Sequence, residues 1–119
     1  MPGSPTWSAI WQEVIVNNGC NGGSTCHASV SGGNLVMQTK AGSYTALVNA
    51  AAGGNTGTPT CMASGLMRVV PGNPDTSLLV NKLEQTMPPC GSRMPPGGML
   101  KPEQIKQVRD WVAAGALDN

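Results

Sequence analysis

Sixteen glycines and ten prolines, about a fifth of a 119-residue chain, confine regular structure to a few stretches. Proline removes a backbone donor and fixes φ, and glycine carries a large entropic cost inside a helix. The segment TMPPCGSRMPPGGML, residues 86–100, has four prolines and three glycines and reads as loop throughout. The length fits one domain. Its core must be thin, because the chain has three Trp, one Tyr and no Phe. A domain of this kind needs further support, from crosslinks or from a bound group that fills its centre.

Four stretches escape the breakers. In TWSAIWQEVIVNNG, Trp7, Ile10, Trp11 and Val14 recur at helical spacing, with Thr6 placed to cap and Gly19 to stop the helix. SYTALVNAAAGG puts Tyr44, Leu47 and Val48 on one face and predicts a short helix ending at Gly53. PGNPDTSLLVNKLE predicts a helix capped by Asn73, with Pro74 first and Asp75 near the positive end of the helix dipole. Leu79 and Leu83 share a face there, with Leu78 and Val80 alongside. KPEQIKQVRDWVAAGA predicts the last helix, opened by Pro102 and ended by Gly115, with Ile105, Val108, Trp111 and Val112 inward. Residues 19–42 read mostly as loop around an apolar island at Leu35, Val36 and Met37. The expected class is all-α.

Charge assigns little. Seven basic and six acidic residues leave +1, so there is no basic patch for nucleic acid and only weak long-range steering of partners. No apolar run approaches the length of a membrane span. The acidic side chains Glu13, Asp75, Glu84, Glu103, Asp110 and Asp118 are spaced as solvated helix faces and caps, not as a catalytic pair. Four cysteines in a loop-rich chain point to an oxidising compartment, periplasmic or extracellular.

Cys20 and Cys26 are separated by five residues, and His27 follows directly. The attachment signature for c-type haem is C-x-x-C-H. Spacing alone leaves four readings open. Cys20–Cys26 and Cys61–Cys90 are two disulfides and His27 is a surface residue. Or a zinc ion gathers ligands from separate loops. Or Met62, Met67, Met87, Met94 and Met99 supply thioethers to Cu(I). Or Cys20 and Cys26 form thioethers to a haem, His27 binds its iron, and a methionine binds from the other side. Glycine at 22 and 23 lets the longer spacer bulge. Met87 and Met94 are each followed by Pro-Pro, which would hold a weak thioether ligand on a stiff segment.

Taken in order, C-x5-C-H, GGNLVM, SYTALVN, VVPGNPDTSLLVNKL, RMPPGG and QIKQVRDWVAAGA resemble small class I cytochromes c. The closer likeness is to the cytochrome c-like domains of planctomycete and myxobacterial exported proteins. It covers residues 6–117, with 1–5 as linker and 118–119 as tail. The spacer of five residues is the departure from the family pattern.

The resemblance implies a class I cytochrome c fold, with the first and last helices crossing and long Gly/Pro-rich loops wrapped around one haem. It implies covalent haem c through Cys20 and Cys26, His27 as proximal ligand and Met94 as distal ligand, with Met87 in reserve. It leaves Cys61 and Cys90 to pair with each other and pin the loop before Met94. Leu35, Tyr44 and Trp111 become candidates for the haem wall, with Trp11, Leu79, Leu83 and Leu100 beside them. Arg68 and Arg93 become candidates for the propionates.

The expected function is one-electron transfer, by a monomeric carrier or by an electron-transfer domain of a larger oxidoreductase, with redox proteins as partners. The chain is expected to be exported, with a membrane-anchored precursor as one source, and to have no catalytic site of its own. Two alternatives belong to other classes. One is a haem-free, disulfide-stapled binding or structural domain. The other is a haem enzyme or sensor with a weak distal ligand.

Overall fold

The computed structural model describes residues 5–18, 20, 37, 39–51, 53, 61, 64–85, 88–90, 94 and 100–119. The described regular structure is helical, with isolated bridges between extended segments and no strand among the described residues. No helix among them is long and apolar enough to cross a membrane.

Helix α1 begins at Trp7, with the Thr6 hydroxyl accepting from the Ala9 amide at 3.2 Å. It is α-helical over Trp7–Ile10 and widens to a π-helix over Trp11–Val16. The wider turns close through Asn17 N to Gln12 O at 3.1 Å and Cys20 N to Ile15 O at 2.9 Å. Trp7, Ile10 and Val14 are buried as their spacing predicts, and the slip in register buries Ile15 as well.

Helix α2 spans Lys40–Leu47, capped by Thr39, whose hydroxyl accepts from the Gly42 amide at 3.0 Å. It stops well before Gly53. Val48 is extended and Asn49 takes a φ of 57°, a left-handed conformation that asparagine tolerates better than most residues. The chain then leaves the helix direction and meets residues 67–69. Asn49 N donates to Val69 O at 2.9 Å, and Arg68 N donates to Ala50 O at 2.8 Å.

Helix α3 covers Leu78–Glu84, later than the start signals predict. A 3₁₀ turn occupies Pro74–Thr76, and the Asn73 side chain makes no cap bond. Pro71 and Gly72, the latter at φ 86°, first form a tight turn closed by Asn73 N to Val70 O at 2.9 Å. The Ser77 hydroxyl then accepts from Val70 N and donates to Asn73 O, both at 2.8 Å. These local bonds hold Ser77 extended, so continuous helix starts at Leu78.

Helix α4 is Pro102–Ala113, with proline in the first turn as predicted. Its end is a Schellman motif. Ala116 N reaches Trp111 O at 2.9 Å and Gly115 N reaches Val112 O at 3.0 Å, with Gly115 at φ 113°. Ala116 is thereby turned into the core.

Helices α1 and α4 pack together. The Trp7 and Trp111 rings stack at 5.1 Å, and Tyr44 meets both edge-on at 6.1 and 6.3 Å. Each indole N–H is satisfied, Trp7 by Lys40 O at 3.0 Å and Trp111 by Leu117 O at 2.9 Å. Farther along, Gln104 and Gln107 reach Glu13 through its carbonyl and its carboxylate. Residues 118–119, read as tail, are tied down through Asn119, whose side chain accepts from Trp7 N and whose carbonyl accepts from Ser8.

The main core gathers Trp7, Ile10, Val14, Leu47, Val69, Val80, Val108, Trp111 and Val112, and Met37 joins it from the segment read as loop. Trp111 is 1% exposed and at the centre of the stack. Trp111→Ala should cost about 3–5 kcal/mol in urea unfolding, the range for large-to-small changes of buried aromatics. Arg109→Ala should cost less than about 1 kcal/mol, because its pairs with Asp75 and Glu84 are solvent-facing.

Candidate functional site

Of the soft donors that the sequence singles out, the described residues outside the disulfide are Cys20, Met67 and Met94. Met67 is partly buried in the extended segment that bridges to Ala51 and Ser77. Cys20 and Met94 come from distant parts of the chain, and both lie partly buried against the main core. Each has its own anchor.

Cys20 is carried by the π-helical end of α1. A π turn frees carbonyls from their usual partners. The Val14 carbonyl takes the Asn18 side-chain amide at 2.8 Å and lies 3.9 Å from the Cys20 sulfur. The Cys20 amide closes on Ile15 O, so the residue is fixed by backbone as well as by packing.

Met94 is anchored by its amide, which donates to Lys82 O at 2.9 Å. Lys82 lies in the last turn of α3, where carbonyls lack intrahelical partners. Burial pushes the Lys82 ammonium below the ordinary lysine value.

Cys61 and Cys90 are joined in a disulfide, as the family resemblance implies. Both are buried, in a small apolar cluster with Leu78 and the partly buried Leu66, apart from the main core. The crosslink removes two thiols from any zinc set and excludes cross-pairing of Cys61 or Cys90 with the Cys20–Cys26 element. Among the described residues no three His, Cys, Asp or Glu side chains converge as metal ligands.

Tyr44 and Trp111 lie in the aromatic cluster, and the Tyr44 hydroxyl donates to Ala116 O at 2.7 Å. Leu79 packs partly buried on the same core, where Leu83 and Leu100 are fully enclosed; Trp11 packs there too, 6.3 Å from Trp7. The Arg68 guanidinium donates to Ala46 O at 2.9 Å, and burial lowers its pKa. Cys26, His27, Leu35, Met62, Met87, Arg93 and Met99 lie outside the described residues.

Sequence reasoning missed three features of this region. The π turn has no residue-type signature. The Met94–Lys82 bond joins two backbones, which side-chain patterns do not report. The Arg68 lock on α2 could have been suspected only from an arginine set between apolar residues.

No family model matches the chain, and neither a curated protein nor a solved structure matches it.

The disulfide closes a loop with a sequence separation of 29. Chain entropy alone assigns such a loop about 3–4 kcal/mol. The double variant Cys61→Ala/Cys90→Ala should therefore unfold at lower denaturant by about that much, read by far-UV circular dichroism.

Proposed function

We propose that this chain is a monohaem c-type cytochrome that carries single electrons. Haem c would be held through Cys20 and Cys26, with His27 and Met94 as axial ligands and Met87 in reserve. The observation that supports this most is that Cys20 and Met94 each pack partly buried against the main apolar core, with Cys61 and Cys90 taken up in their own disulfide. A thiol and a thioether half-buried on apolar side chains suit the edge and the iron of a porphyrin.

When bound, the haem supplies an iron that alternates between ferric and ferrous. The chain's part is to hold and tune it. The Met94 thioether would be a soft ligand that favours the ferrous state and raises the potential. With His27 and Met94 both holding the iron, the chain would move electrons without transforming a bound molecule. The aromatic and aliphatic core would help to keep water from the group, and low dielectric favours the less charged state.

Partners would be redox proteins docking on an exported monomer. With +1 net charge, added salt should change the electron-transfer rate little. A steep fall in rate between low and high salt would contradict this.

One observation favours a second reading, a haem-free stapled binding domain. Trp7, Tyr44 and Trp111 pack on each other and give the core apolar mass of its own.

The deciding experiment is the absorption spectrum of the exported, purified protein, oxidised and reduced, with its intact mass. One covalent haem, sharp reduced bands and a sulfur-to-iron band lost in Met94→Ala are the expected result. A colourless protein carrying two disulfides, made with the haem-attachment machinery present, would reverse the order of the two readings. Haem whose native spectrum shifts on adding cyanide or CO would point to an open iron, as in a sensor or enzyme.

A further inference from the structure

The segment that follows α3 is fixed at two points. Cys90 is disulfide-bonded within the small cluster that contains Leu78, the first residue of α3. Met94 then donates its amide to Lys82 O, four residues farther along the same helix. Leu78 and Lys82 are about 6 Å apart along a helix axis. Three residues separate Cys90 from Met94, which limits their Cα separation to about 14 Å. One fixing point is the crosslink to Cys61, beside Leu78, and the other is on α3 itself, and the link between them is short.

The helix is itself held. Val80 and Leu83 are buried in the main core. Arg109 of α4 bonds Glu84 at 3.4 Å and also pairs with Asp75 just ahead of α3. The hydrogen bond to Asp75 raises the guanidinium pKa above the ordinary arginine value; burial opposes this, and the Glu84, Asp75 and Asp110 charges add to the rise.

We propose that the Cys61–Cys90 crosslink and the Lys82 carbonyl form a two-point clamp that sets the position of Met94. Cys61 and Cys90 are then positioning residues that act through Met94. The consequence for an iron ligand rests on the cytochrome reading, whereas the clamp itself stands or falls without haem. A disulfide serving only global stability would not single out Met94. A clamp makes the freedom of Met94 depend on the length of the link to Cys90.

The test lengthens that link while leaving the disulfide in place. Six glycines inserted between Gly91 and Ser92 stretch the connection from three residues to nine. Loop closure weakens as the three-halves power of length, which is about fivefold. Amide hydrogen exchange is read by NMR on the full chain. Met94 should exchange about fivefold faster, with the Val108 and Trp111 amides of α4 within about twofold of the parent protein. Unchanged exchange at Met94, or an equal change at Val108 and Trp111, would overturn the clamp.

A second arm uses the haem-loaded protein. Cys61→Ala/Cys90→Ala should weaken the sulfur-to-iron band and lower the reduction potential. In a Met94→Ala background the same double change should leave the potential where Met94→Ala alone puts it. An equal shift with and without Met94 would show that the disulfide does not act through that side chain. If the chain takes up no haem, the exchange arm decides the clamp alone, so failure of the cytochrome reading and failure of the clamp remain distinct.

Discussion

The stack of Trp7 on Trp111 is the contact on which the rest of the molecule depends. A chain with no phenylalanine has few large rings to place, and it places them together. One ring comes from the first helix, one from the last, and Tyr44 from the second bridges both by its edge. Each polar tip finds a backbone carbonyl, on Lys40, Leu117 and Ala116, so the rings are enclosed without leaving a buried donor unpaired. Helices α1, α2 and α4 are thereby located from a single node. Helix α2, at eight residues, is too short to persist alone in water, and this packing is what sustains it.

Helix α3 joins that node to the only other apolar cluster among the described residues. Its Val80 and Leu83 belong to the aromatic core, while Leu78 belongs with the disulfide. The molecule thus has a larger centre built from side-chain packing and a smaller one built around a covalent bond. A short helix spans the two. Loops rich in glycine and proline need such a division, because they have few apolar side chains with which to fix themselves.

Much of the helical framework was legible in the sequence, and for a physical reason. Helix faces follow from spacing, and Trp7, Ile10, Val14, Val108, Trp111 and Val112 all turn inward as their periodicity implies. Thr6, Pro102 and Gly115 mark ends because their local chemistry suits those positions in any context. The start of α3 was misjudged because Ser77 has a better offer from Val70 and Asn73 than from a helical turn. Met37 reads as part of a loop, and only the tertiary packing shows it as core. For the candidate site, two separate sequence motifs pick out Cys20 and Met94, but only the tertiary packing shows that each lies against the main core. The Cys26–His27 half of the motif is legible as sequence alone.

The widened end of α1 has a consequence beyond its hydrogen bonds. An uninterrupted α-helix that buries Trp7, Ile10 and Val14 would next turn residues 17 and 18 inward, and both are asparagines at the surface here. The π turn inserts the equivalent of one residue, which rotates everything after it by about 100° relative to everything before. The helix therefore works as two sections of different phase. The first is locked to the aromatic node, and the second is aimed so that Ile15 and Cys20 reach the core. Loss of a single residue between Trp11 and Val16 would keep the first section's packing and redirect the second. That makes the phase of this helix, more than its composition, the property that decides where the cysteine motif begins.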